Sequence, residues 1–299
     1  MGRRQQKKRK NSDIIFILIF LAGLSLLLYP TVSNFWNSMH QSYAIGDYTQ
    51  AVDNGDQEKN AQLLADARSY NRELYDLDSI YDMDEAWLAR YNETLNVVGN
   101  GIMGYVEIPA IDCTLPIYHG TSEAVLQVAI GHIEWTSLPV GGESTHSVIS
   151  GHRGLPSAEL LTHIDRLEVG DAFYIHVLDE VLKYRVDDIA VVEPEDTSRL
   201  QITEGKDYVT LVTCTPYGIN SHRLLVRGAR ELEGGWTKEQ EVVFGDEMQP
   251  VELTYVVPAA LALLVAAIAV VTVAAEVQHR RAKQKRMQRR RLRKEGDKP

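Results

Sequence analysis

Near each end of the chain lies a run of apolar residues without a single charge, and each run is bordered on its terminal side by a cluster of Lys and Arg. Ile14 to Tyr29 (IIFILIFLAGLSLLLY) follows six basic residues within 3–10, and Leu253 to Ala275 (LTYVVPAALALLVAAIAVVTVAA) precedes eleven within 280–298. At about 1.5 Å rise per residue, the second run crosses a hydrocarbon core of about 30 Å as one helix. Pro258 lies near its start, where a missing backbone donor costs least. The first run is short for a span, but Thr31, Val32, Phe35 and Trp36 extend it into the interface. Basic flanks stay on the cytoplasmic side. Both termini are therefore expected inside and residues 37–250 outside, an arrangement that two spans of opposite direction satisfy. A cleaved signal peptide has the same basic and apolar regions. The residues that follow here, PTVSNFWNSM, offer no clear small-x-small cleavage site, so a retained anchor is expected.

Setting the basic ends aside changes the meaning of the net charge of −10. Residues 31–252 contain 37 Asp and Glu against 14 Lys and Arg. Phosphate is repelled by such a region, so nucleic acid is not an expected partner. The basic tail directly follows an apolar run, which makes it a topological signal and not a nucleic-acid arm. There are two cysteines, Cys113 and Cys214. That is few for an exported domain stapled by disulfides. Either the two form one bridge, or at least one free thiol faces the outside and calls for a chemical explanation.

Between the runs the pattern shifts once. Residues 44–75 read as helical, with Leu63, Ala67, Tyr70 and Leu74 at helical spacing. Residues 76–90 are acidic and read as a loop, followed by a short helix through Tyr91 to Leu95. From Gly101 onward, short β-rich runs alternate with Gly, Pro and Asp: MGYVEIP, CTLPIY, HSVISG, AFYIHVL, KYRVDDIAVVE, DYVTLVTC and HRLLVRG. Strands this short and close predict an antiparallel or mixed barrel or sandwich. Residues 122–130 and 157–164 are candidate short helices. Residues 232–251 are a polar, acidic linker.

Three residues stand out for chemistry. Cys214 ends the strand-like run YVTLVT and precedes a turn containing Pro216 and Gly218, so it is exposed yet held on a rigid element. A small buried apolar cysteine would read the same way. Nine residues on, Arg223 opens HRLLVRG, and a turn at TPYGINS would set the two runs side by side. An Arg beside a thiol lowers its pKa and can bind a developing oxyanion. Arg227, on the same face by period two, is its competitor. His152, flanked by Gly151 and Gly154, is the candidate acid and base, with His132, His146 and His222 as rivals. No HExxH, paired CxxC, phosphate loop or serine elbow is present, so neither a metal nor a cofactor is expected.

THSVISGHRGLPSA followed by TLVTCTPYGINSHRLLVRG resembles the paired signature of the sortases, and GYVEIPAI, LPIYHGTSE and GHIEWTSLPVGG resemble that family too. The two spans and the long N-terminal extension are similar to class C, the pilus-assembling sortases of Gram-positive cells. The resemblance implies a mainly β fold: an eight-stranded barrel with short helices, an N-terminal helical extension and two flanking transmembrane helices. It implies that Cys214 is the nucleophile, His152 the proton donor and Arg223 the oxyanion stabiliser. The reaction implied is cleavage of an LPXTG-like sorting signal between Thr and Gly through a thioester, which an amine then resolves. The partners implied are LPXTG-tailed pilins or surface proteins. Class C enzymes carry a lid with an Asp-Pro-aromatic motif; here the stretch reads Asp78-Ser79-Ile80-Tyr81, without the proline and with the aromatic shifted. The expected division is a basic segment 1–13, a span 14–36, a helical extension with lid 37–98, and a catalytic barrel 99–232. A linker 233–252, a span 253–275 and a basic tail 276–299 follow. Anchoring of surface proteins to cell-wall peptide, and a non-catalytic membrane receptor, are the alternative functions.

Overall fold

The computed structural model describes residues 2–77, 84–232, 284 and 287. Its first element, α1 (Gly2–Asp53), is a single helix with Pro30 inside it. Among the described residues, Ile19–Asp53 is the stretch long and apolar enough to cross a membrane. Leu26, Leu27, Tyr29 and Val32 lie exposed on it. Beyond Pro30 the helix acquires an inward face. Ala44, Tyr48 and Val52 follow one another at steps of four and pack beside Ile102. The Tyr48 hydroxyl donates to the Met103 carbonyl at 3.2 Å and accepts from the Leu178 amide at 2.7 Å. The span expected over 253–275 lies outside the described residues.

Residues 44–75 are helical as expected, apart from one break. The sequence Asn54-Gly55-Asp56 interrupts the run, and α2 (Gln57–Tyr75) starts afresh with Asp56 as its N-cap, accepting from the Glu58 amide at 3.1 Å. A capping carboxylate satisfies an orphan helical donor, which favours a new helix over a continued one. Ala67, Tyr70 and Leu74 of α2 enter the main core, as their spacing predicts. The next helix also differs from expectation: α3 spans Glu85–Glu93, because Asp84 caps it by accepting from the Trp87 amide at 2.9 Å. Its Trp87 donates to the Tyr70 hydroxyl at 2.6 Å, joining the two helices.

The strands are β1 (Ile102–Ile108), β2 (Cys113–His119), β3 (Ile130–His132), β4 (Thr145–Ser150), β5 (Ala172–Val177), β6 (Glu180–Val192), β7 (Asp207–Thr215) and β8 (His222–Arg230). They close into a barrel in the order β1-β2-β3-β4-β7-β8-β6-β5. The pairs β2–β3 and β4–β7 are parallel and the others antiparallel. Inward residues fill the lumen, among them Val106, Ile117, Phe173, Ile175, Leu211 and Val226. A second cluster forms on the other face of the same sheet, from Val148, Val192, Leu200, Val212 and Leu225. Strand β3, three residues long, gives no period-two signal. Of the two short helices expected, 122–130 contains α4 (Glu123–Leu126), whereas 157–164 is a string of turns leading into a 3-10 turn at Ile164–Arg166.

Candidate active site

The β7–β8 hairpin sets Cys214 directly opposite Arg223. Directly opposed residues of an antiparallel pair point to the same face, with Cβ atoms about 4.5–5.5 Å apart. That face is the outer one, which also carries Val212 and Leu225. Both cysteines are free and partly buried. They differ in surroundings. Burial pushes the Cys113 thiol up to about 12, with Asp112 and Glu159 adding in the same direction. Cys113 is thus a protonated thiol facing the Leu160 carbonyl.

His152 arrives from a distant stretch of chain. Strand β4 runs parallel to β7 with Ser150 beside Val212. The Gly151 amide donates to the Val212 carbonyl at 3.0 Å, and the Thr213 hydroxyl donates to the Gly151 carbonyl at 2.7 Å. His152 therefore leaves its strand at the level where Cys214 follows Thr213. A Cβ at Gly151 would come within 2.7–2.9 Å of Ile130 and Leu161 side-chain atoms, so glycine lets these side chains pack closely on the start of the His152 loop. The rival histidines are occupied. His132 is buried between the Tyr91 hydroxyl and the Ser137 carbonyl. His146 contacts Thr210 and the Gln201 carbonyl, and His222 faces Glu193 at 3.2 Å.

The arginines separate in the same way. Arg227 makes two hydrogen bonds to the Asp187 carboxylate, at 3.0 and 2.9 Å, and lies over the Tyr208 ring. Arg68, Arg90, Arg153, Arg185 and Arg199 each pair with a carboxylate as well. Arg223 contacts the backbone carbonyls of Asn220 and His222, and no carboxylate among the described residues pairs with it. A half-buried guanidinium without a counter-ion beside a free thiol can accept a negative charge that forms during reaction.

Sequence reasoning missed the residues that brace this arrangement. Arg153 bridges to Asp165 at 2.5 Å, approaches the Thr215 hydroxyl at 3.4 Å and sits over the Tyr217 ring. Tyr217 also packs against Gly154, whose φ of +78° suits glycine. The loop after β4 and the turn after β7 are thereby clasped together. The adjacency of Arg153 to His152 was the available signal, but Asp165 and Tyr217 come from other loops. The outer apolar cluster was equally invisible, because it joins β4, β6, β7, β8 and Leu200. The lid residues Asp78 and Tyr81 lie outside the described residues. Among the described residues no cluster of His, Cys, Asp and Glu is arranged to hold a metal.

The profile of the Sortase domain matches residues 106–231, the stretch holding all three residues. Sortase C1 from Streptococcus agalactiae is 48% identical, with a TM-score of 0.61 over 63% of this chain and 98% of that one. The chain belongs to the sortase family. Its likeness extends to sortase C of Streptococcus pneumoniae, at 46% identity, 63% and 96% coverage and a TM-score of 0.55. A sortase C from Clostridium perfringens, solved with the C-terminal cell wall sorting motif, is 43% identical, with 64% and 98% coverage and a TM-score of 0.56. This sortase is thus a cysteine transpeptidase of cell-wall surface proteins, and its relatives group it with class C.

Proposed function

We propose that this sortase polymerises pilins: Cys214 attacks the Thr carbonyl of an LPXTG-like sorting signal, and a lysine amine of another pilin subunit completes the transfer. The observation that carries the reading is the cross-strand pairing of Cys214 with Arg223 at the end of β7, next to the loop that begins with His152. The Cys214 thiolate adds to the carbonyl carbon, and Arg223 binds the resulting oxyanion. Collapse breaks the Thr–Gly C–N bond, and His152 gives its proton to the leaving glycine nitrogen. The lysine amine then adds to the thioester, loses a proton to His152 and expels the Cys214 thiolate. Atoms and charges balance with no cofactor. The apolar cluster of Val148, Val192, Leu200, Val212 and Leu225 lies on the face that carries Cys214 and supplies a floor for the Leu-Pro side chains. The pilin assignment draws on the sortase C relatives.

In this reading residues 14–36 and 253–275 anchor the enzyme, both termini are cytoplasmic, and the barrel works outside. Residues 76–86 form a lid that Asp78 and Tyr81 hold over Cys214.

Incubation with an LPXTG peptide and mass spectrometry tests the chemistry. A thioester on Cys214 is expected, lost in Cys214→Ala and retained in Cys113→Ala. A thioester on neither cysteine, or equal loss in both variants, would refute it. Adding purified pilin as the acceptor separates polymerisation from attachment to a cell-wall peptide amine.

A further inference from the structure

Helix α1 continues past its apolar stretch and lies against the barrel. Its contacts run in order along the barrel wall. The first described ones are at the candidate active-site end. The Asn34 side-chain oxygen accepts from the Glu159 amide at 2.8 Å, and the Asn37 amide donates to the Ser157 carbonyl at 2.8 Å. Gln41 donates to the Val128 carbonyl at 2.6 Å, just before β3. The segment 155–161 that receives Asn34 and Asn37 begins next to His152, and its Leu161 packs on Gly151. The last contacts are at the opposite end. Tyr48 bonds Met103 near the start of β1 and Leu178 in the β5–β6 turn.

Strand directions give the same answer independently. Strands β4 and β7 run toward Cys214, β1 starts at the far end, and the 178–179 turn closes β5 onto β6 there too. The apolar stretch of α1 precedes Asn34, so the end touched first is nearest the bilayer. Tyr29 to Asn34 spans about 8 Å at about 1.5 Å per residue, comparable to one headgroup layer. Asn34 to Tyr48 spans about 21 Å, and a tilt of about 40° would still leave about 16 Å of height. Pro30 kinks a helix by tens of degrees and does not reverse it.

We propose that the lipid headgroup surface is the partner of the catalytic end of the barrel, with the loop 155–160 and the β7–β8 turn resting on it. The membrane then forms one wall of the approach to Cys214. Exposed apolar residues occur where this places the interface: Ile219 and Tyr217, 71% and 60% exposed in the β7–β8 turn, and Val128 beside Gln41. Such side chains suit the interfacial layer. The far end carries Gly142 and Glu143 in an exposed loop. Strand β8 finishes at Arg230, at that far end.

The proposal rests on α1 being a membrane anchor, and the experiment separates the two. The full chain carrying Cys214→Ala and Cys113→Ala receives Ile219→Cys or Glu143→Cys and an environment-sensitive fluorophore. It is reconstituted in phosphatidylcholine–phosphatidylglycerol vesicles holding a headgroup nitroxide lipid. Both positions are surface residues, so folding should persist. Co-flotation with the vesicles, loss of most emission at position 219 and little loss at position 143 are expected. Co-flotation with equal or reversed quenching would overturn the orientation alone. Failure to co-float would overturn the anchor, and the orientation with it.

Discussion

Where β4 and β7 begin, the half-buried Asp207 carboxylate accepts from the Tyr184 hydroxyl and the Gly142 amide, both at 2.9 Å, while Thr145 donates to the Gly142 carbonyl. Where the same two strands end, His152 has no hydrogen-bond partner among the described residues, and Arg223 has backbone carbonyls alone. Burial raises Asp207 above the usual carboxylate range and Tyr184 well above the phenol range. Those groups stay locked because leaving any of them unpaired in the interior is expensive. At the other end partial exposure lowers that cost, and water can substitute until a substrate arrives. One strand pair therefore serves stability at its start and chemistry at its finish.

The sharpest way to break this contrast is at the arginines. Arg223→Ala should lower the rate of thioester formation by about 10²–10³, the usual cost of an oxyanion donor. Arg227→Ala, on the same strand and face, should stay within a few-fold of wild type and lose about 0.2–1 kcal/mol of stability with its Asp187 pair. Equal activity losses would remove the distinction between a paired and an uncompensated arginine. At the other end, Tyr184→Phe leaves Asp207 one donor short. A destabilisation of about 1–3 kcal/mol in urea is expected, with the single-turnover rate of the folded protein unchanged.

A buried histidine sharpens the comparison through pH. Burial pulls His132 down from 6.5 to about 3, so the folded state holds it neutral. Below pH 6.5 the unfolded chain binds a proton that the folded chain refuses. Stability should thus be full above pH 6.5 and fall as pH drops toward 3, by up to about 1.4 kcal/mol per unit. His146 shifts in the same direction, also through burial. Urea midpoints at pH 7.5 and 5.5 should differ less in His132→Gln than in wild type.

The smallest effect concerns the proposed lid. Serine in place of the motif's proline leaves the free loop less restricted, and an exposed Asp–Arg pair adds about 0.2–1 kcal/mol. Asp78→Ala with Tyr81→Ala should modestly accelerate labelling of Cys214 by a small thiol reagent. An unchanged rate with Cys214 still reactive would mean that these residues do not cover the site.

The apolar run within α1, most of the strands and the pairing of Cys214 with Arg223 were legible in the sequence. All depend on neighbours: uninterrupted hydropathy, period-two alternation, and a short turn that brings two strands together. The breaks at Asn54-Gly55-Asp56 and Asp84 were also written locally, as capping residues, but the helical spacing on either side masked them. By contrast, bringing the loop of His152 to the level where β7 ends at Cys214 required β4 to pair in parallel with β7 across some sixty residues, and no local pattern encodes that choice. The arginines show the same limit. Arg223 and Arg227 are equivalent by spacing, and they separate because β6, arriving from elsewhere, sets Asp187 against one and not the other. Local patterns mark which residues could react and where strands could form. Tertiary structure decided which of them meet, because barrel closure and the packing of α1 are long-range contacts, stabilised by apolar burial that has no direction along the chain.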